Sequence, residues 1–134
     1  MPALELGWID GTYAICRLDP AADVPAWAER RDGRLVSVTR TALELSIVVE
    51  ARHAPADATA SRGWRAMAVE GTLDFGLTGI LARLTTALAE ARVPVFAIST
   101  YDTDVLLVQV SDAEAAVEAL ATVADVTRLR ASSP

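Results

Sequence analysis

Two short segments hold the residues whose types and spacing could do chemistry. The first is GTLDFGLTG, Gly71 to Gly79, a glycine-studded turn that runs into an apolar-periodic stretch from Ile80. Glycine adopts positive φ and lets a ligand approach the backbone closely. The first N–H groups of a helix lack intrahelical partners and lie at the positive end of its dipole, so this turn is a candidate carboxylate site. The second is STYDTD, Ser99 to Asp104, where acids and hydroxyls crowd a turn between apolar strands. Asp104 adjoins Val105 and is a candidate acceptor for an ammonium or guanidinium, through charge-assisted bonds about twice as strong as neutral ones. Asp102 reads as a solvated turn residue. Together the segments suit a small molecule bearing both a carboxylate and an amine. A plainer reading stands beside this one: the glycines shape a strand-to-helix turn with Thr78 as its N-cap, and STYDTD only turns a hairpin.

Other chemistries lack their parts. Asp74, in the glycine turn, adds an acid that could share general acid–base work. No nucleophile, second histidine or metal-ligand spacing accompanies it, so no catalytic residue, metal site or cofactor is expected. Cys16 is the single cysteine, which excludes an internal disulfide and a CxxC motif, and its TYAICRL setting reads as a buried strand thiol. His53, also alone, reads as a solvated residue beside the Pro55 loop. Trp8, Trp27 and Trp64 do not alternate with basic residues as a nucleic-acid stacking platform would, and read as packing residues.

Composition agrees. The 134 residues are 52% hydrophobic and 22% charged, which is globular, and the net charge of −6 disfavours a phosphate-backbone partner. No basic, then apolar, leader opens the chain and no run approaches the roughly 18–20 apolar residues of a membrane span. A cytoplasmic protein with no nucleic-acid or membrane partner is expected.

The elements that must position these residues follow from pattern. Tyr13 to Leu18, Leu35 to Thr39 and Leu45 to Val49 read as strands, with a short helix within Asp23 to Arg31 around Trp27. HAPADATASRG, His53 to Gly63, is a linker or loop. Trp64 to Val69 reads as a strand, and Ile80, Leu81, Leu84, Leu88 and Ala91 give a helix that Pro94 ends. Val95 to Thr100 and Val105 to Val110 are strands. The S-x-x-E of Ser111 and Glu114 caps a second helix with Ala116, Val117 and Leu120 inward, and a strand follows near Val126 to Leu129. The second part is β-α-β-β-α-β, the ferredoxin-like arrangement of an α+β fold, with two helices on one face of the sheet and the other face free to pair. SVTRTALELSIVV from Ser37 echoes AISTYDTDVLLVQV from Ala97: with a residue inserted in the first turn, Val38 matches Ile98, Thr39 matches Ser99 and Glu44 matches Asp104.

LDFGLTGILARLTTALAEARVPVFAISTYDTDVLLV resembles the small bacterial ACT-domain proteins related to the arginine-sensing CASTOR proteins of animals, through L-D-F at Leu73, T-G-I-L at Thr78 and P-V-F-A-I-S-T-Y-D-T-D at Pro94. GWIDGTYAICRLDP and VSVTRTALELSIVV resemble their shortened first half. The resemblance implies a tandem of ACT-like units: a degenerate N-terminal half over 1–63 and an ACT domain over 64–130. It also implies a non-enzymatic regulatory or sensor protein that binds a small amino acid or related metabolite at a domain interface. By position, Gly79 falls at the helix-start contact, with Asp74, Thr78 and Ile80 around it, and Thr100, Tyr101 and Asp104 fall at the hairpin contacts. A homodimer is expected from open sheet edges, and a further protein partner would receive the signal. The alternative is a ligand-free homo-oligomeric assembly module in which the same turn and hairpin complete an interface.

Overall fold

The structure, a computed structural model, describes residues 4–70 and 79–128. Gly11–Trp64 forms one compact unit, and the segments up to Asp10 and from Arg65 onward form the other. The first ten residues therefore group with the later unit, whereas the sequence reading kept 1–63 together. Leu4, Leu6 and Trp8 alternate onto the later unit's core, while Gly7 and Gly11 interrupt the pattern that would have marked a strand.

The later unit is built on β1 (Leu4–Leu18), of which the first residues belong here, and β4 (Ala60–Val69), of which the last do. It adds α1 (Ile80–Glu90), β5 (Phe96–Ser99), β6 (Asp104–Gln109), α2 (Ala113–Leu120) and β7 (Ala124–Arg128). The run β4-α1-β5-β6-α2-β7 is the ferredoxin-like order, and the α+β class is as expected. Within the sheet β1 lies between β7 and β4, with β6 and β5 beyond, and Leu4 to Trp8 pair in parallel with Ala124 to Arg128. Leu84 and Leu88 of α1 and Ala116 and Leu120 of α2 close over Leu6, Met67, Leu106 and Val108. On the opposite face Ile9, Ala66, Val105 and Leu107 are buried too.

Helix α1 ends before Pro94 acts. Arg92 takes a left-handed φ of 60°, its N–H donates to Ala89 (3.0 Å), and Val93 N–H donates to Leu88 (2.9 Å). This is a Schellman closure with arginine where glycine usually stands, sealed by buried Val93. The Ser111–Glu114 capping box does not form. A 3₁₀ turn over Val110–Asp112 occupies that stretch, and α2 starts at Ala113 with no side-chain cap.

The unit Gly11–Trp64 contains the rest of β1, a 3₁₀ turn (Ala26–Ala28), β2 (Ser37–Arg40), β3 (Leu45–Glu50), a 3₁₀ turn (Ala51–His53) and the start of β4. The helix expected around Trp27 shrinks to that first turn, since Pro25 precedes it in extended geometry. His53 to Gly63 is not a linker: β4 begins at Ala60, and Arg17 N–H donates to the Thr59 carbonyl at 2.9 Å. Ala14, Cys16, Leu45, Ile47 and Val49 form its core. Cys16 is buried as expected, and that burial pushes its thiol pKa up, with Arg62 opposing.

The internal echo is confirmed and its register corrected. Arg40 pairs with Leu45 across its turn as Ser99 pairs with Asp104, each hairpin joins a four-residue to a six-residue strand, and a 3₁₀ turn follows each. Asp104 thus corresponds to Leu45, and Glu44 to Thr103, with no insertion. A one-residue slip exchanges the faces of a strand, so the earlier hairpin carries a buried leucine where the later one carries an acid.

Candidate functional site

The hairpin turn of the later unit is closed by its own threonines. Thr100 N–H donates to the Thr103 carbonyl at 2.8 Å, and Thr103 N–H donates to Thr100 Oγ1 at 3.1 Å. The earlier hairpin uses the same device, with Thr41 N–H on the Glu44 carbonyl (2.9 Å) and Glu44 N–H on Thr41 Oγ1 (3.3 Å). What differs is the side chain at the end of the turn. Thr103 Oγ1 donates to the Val69 carbonyl at 2.7 Å, fastening the hairpin to the last residue of β4.

That fastening orders the surroundings of Asp104. The residue is half-buried at the start of β6, and Ser99 Oγ donates to its Oδ1 at 2.6 Å. Neither ion pair seen among the described residues, Arg30–Asp32 and Arg52–Glu50, involves it. Tyr101 stands 80% exposed at the tip and Thr100 is exposed beside it.

Gly79 is the N-cap of α1, with φ 81° and ψ −3°, and its carbonyl accepts Arg83 N–H at 2.9 Å. A Cβ there would meet no atom within 4 Å, so glycine serves the backbone conformation and leaves open space. Ile80 is half-buried against the core. Asp74 and Thr78 lie outside the described residues; the N-cap seen is Gly79 rather than Thr78. Gly79 also heads an open groove of about 380 Å³ that runs along α1 past Ala82, Arg83, Thr86 and Glu90 to Thr122 and Val123. None of the hairpin residues lines that groove. The structure thus gathers Thr100, Tyr101 and Asp104 on one turn, and Gly79 and Ile80 at one helix start. The turn is bonded to the strand end from which the chain continues toward Gly79.

Ser99 and Thr103, which bond Asp104 and the end of β4, are residues that sequence reasoning did not single out. Their hydroxyls, beside acids in a glycine-free turn, were the available signal.

A second ordered carboxylate lies in the Gly11–Trp64 unit. Glu50 is 6% exposed, its Oε1 accepts Arg34 N–H (3.2 Å), and its Oε2 accepts Arg52 Nε (2.9 Å). Burial pushes its pKa up, but the Arg34 N–H and the Arg52 guanidinium outweigh that and hold it below the ordinary value. Nearby Asp32, in a two-bond pair with Arg30, titrates at about 2 because of those bonds. His53 is not the solvated residue expected: its Nε2 is buried and has no hydrogen-bond partner. Among the described residues no group of three or more His, Cys, Asp or Glu could hold a metal, and no helix is long and apolar enough to cross a membrane.

Comparison with known proteins agrees with the fold. The ACT-domain family matches residues 59–122, and a second family, described as an N-terminal domain, matches residues 11–57. Protein Atu0741 of Agobacterium tumefaciens is 35% identical, with 97% of this chain and 96% of that one aligned at a TM-score of 0.87. VC0802 of Vibrio cholerae, a protein of unknown function and possible transport protein, is 22% identical over 92% of this chain and 91% of that one (TM-score 0.73). The regulatory subunit of aspartate kinase from Thermus thermophilus shares the fold at 13% identity, over 91% of this chain and 99% of that one (TM-score 0.62). No curated protein matches the sequence. The chain carries an ACT domain and belongs to the same family as Atu0741.

Proposed function

We propose that this is a non-catalytic regulatory ACT protein that binds a small amino acid or related metabolite, with the amine or guanidinium on Asp104 and the carboxylate at the Gly79 helix start. One observation carries the reading. Asp104 is half-buried, one carboxylate oxygen is oriented by Ser99, and neither described ion pair supplies it with a cation. An aligned acid of that kind gains most from a ligand cation, because charge-assisted hydrogen bonds strengthen as water is excluded. Thr100 and Tyr101 border it on the turn, and Ile80 adjoins Gly79, with Thr78 and Asp74 next to them in sequence. Since Leu45 holds the corresponding place in the earlier hairpin, we assign one amine contact per chain.

Similarity in fold to a regulatory subunit of aspartate kinase supports a regulatory role, and resemblance to the arginine-sensing CASTOR proteins makes arginine one of the ligands to try first. Thermal-shift measurements with the twenty amino acids test the proposal. A ligand at about 100 times its dissociation constant adds about 2.7 kcal/mol of stability. Asp104→Ala should abolish the shift and leave the unliganded melting profile cooperative. A shift that survives the substitution removes Asp104 from the site, and no shift with any amino acid returns the protein to the assembly-module reading.

A further inference from the structure

The two hairpins end on opposite chemistry. In the later one Ser99 and Asp104 face each other across the last rung of the ladder, an acid with a hydroxyl on it. In the earlier one the same rung is Arg40 and Leu45, so the acid is gone and the chain itself supplies a cation. The Arg40 guanidinium reaches the turn that follows β1. Its Nη1 donates to the Pro20 carbonyl and its Nη2 to the Ala22 carbonyl, the latter at 2.8 Å. Local bonds shape that turn. Ala21 N–H donates to Asp19 Oδ1 at 2.8 Å and Ala22 N–H to the Asp19 carbonyl at 3.0 Å, while Pro20 has no N–H to give. Each terminal nitrogen therefore meets its own carbonyl, an arrangement that suits the planar fork of a guanidinium better than the point charge of an ammonium. A second arginine, Arg17, donates to the Leu43 carbonyl at 2.9 Å and ties the tip of the same hairpin to β1.

We propose that the 19–22 turn and the end of β2 form a guanidinium site that the chain fills with its own Arg40. The accepting oxygens belong to the backbone, so the site outlasts the side chain that fills it. Cutting Arg40 back leaves the turn with its own internal bonds, and the Pro20 and Ala22 carbonyls are then open to a free guanidinium. Bonds from a charged donor to these carbonyls are the stronger kind, about twice a neutral bond. An arginine that merely rests on the nearest oxygens makes a different prediction, since no saturable uptake of the free ion would follow its removal. The site lies wholly within Gly11–Trp64 and stands whether or not the later unit takes an amino acid. On the reading of Asp104 given above, the two units divide the work. The earlier one is occupied from within, and the later one, with an acid in place of leucine and serine in place of arginine, takes its cation from solution.

Guanidinium chloride at roughly 1–20 mM, far below denaturing concentrations, is the probe, with urea at the same concentrations as its uncharged counterpart. Arg40→Ala should lower the melting temperature by about 4 °C or more, and guanidinium should restore about half of that loss in a saturable way. Urea should restore none of it. In proton–nitrogen spectra of the variant, guanidinium should move the amide signals of Ala21 and Asp23, whose peptide groups carry the two carbonyls. The wild type, with its site filled, should show neither response. Arg40→Lys keeps the stem and the charge without the fork, so it should melt between the other two, and it decides the matter alone if Arg40→Ala does not fold. No saturable response in Arg40→Ala, an equal response in the wild type, signals that move only elsewhere, or an Arg40→Lys variant as stable as the wild type would each overturn the proposal.

Discussion

The Thr103 hydroxyl reaches the Val69 carbonyl at 2.7 Å, so a residue in the β5–β6 turn is bonded to the last residue of β4. A carbonyl at a strand end has no ladder partner beyond it, and this one is supplied by a side chain from a neighbouring hairpin. The bond fixes the turn that presents Asp104 to the end of β4.

Thr103→Val keeps the shape and removes the donor. Stability should fall by about 1 kcal/mol, the usual net worth of one such bond. Amide exchange at Thr100 and Thr103 should quicken while that of β6 stays slow. Urea denaturation and hydrogen exchange read the two effects separately, and an unchanged midpoint would mean that the bond contributes nothing net.

Glu50 makes stability pH-dependent. Its folded pKa lies below the ordinary 4.5, so folding favours the charged form. Its contribution is complete above 4.5 and is lost as the pH falls through that value toward the depressed one. Glu50→Gln should flatten the melting profile between about pH 5 and 3 while lowering stability at neutral pH, and Glu50→Ala should cost about 2–3 kcal/mol by stranding the Arg34 N–H. A wild-type profile as flat as that of the Gln variant would contradict the assignment.

Gly11 and Gly79 both have positive φ, 101° and 81°, but differ in surroundings. A Cβ at Gly11 would rest 3.7 Å from Glu50 and Tyr13 atoms, ordinary contact, while at Gly79 it would touch nothing within 4 Å. Both alanine variants should therefore lose about 1–2 kcal/mol through the backbone alone. Asn should recover part of the loss at Gly79, because it tolerates the left-handed region. Equal losses for Ala and Asn there would point to a steric cause instead.

Arg92 offers the opposite test. It closes α1 with φ 60°, a conformation that costs an L-residue energy and glycine none. Arg92→Gly should raise stability by about 1 kcal/mol in denaturant titration, provided the Schellman bonds from Arg92 and Val93 persist.

What was legible in the sequence was what repetition reveals. Ile80, Leu84 and Leu88 mark α1 by spacing, Pro94 bounds it, and the apolar run Val105 to Val108 marks β6. Short-range chemistry misled where tertiary partners decide. Ser111 and Glu114 have the capping pattern but lie in and after a 3₁₀ turn, and Leu4 to Asp10 hid a central strand because Gly7 and the apolar Ile9 on its other face masked the alternation of Leu4, Leu6 and Trp8. The hairpin echo was visible, but its register was not, since aligning Glu44 with Asp104 by charge slips the match by one residue from the one the strand pairing makes. At the site, Asp104 could be singled out by its apolar neighbour. Ser99 and Thr103 became significant only once folding had brought Val69 and Asp104 to them.

The two through-strands have a consequence for how the chain comes into being. β1 and β4 are neighbours in the sheet, and each crosses from one unit to the other, with left-handed Gly11 and Gly63 next to the crossings. The Gly11–Trp64 unit is a parenthesis in the chain, opened and closed on adjacent strands about 5 Å apart. Along the chain the first strand of the later unit precedes the parenthesis, and its neighbour β4 closes it. The inner unit can fold as soon as Trp64 leaves the ribosome, and by doing so it delivers β4 to β1 before either helix exists. Birth order would then be inner sheet first, ACT helices last.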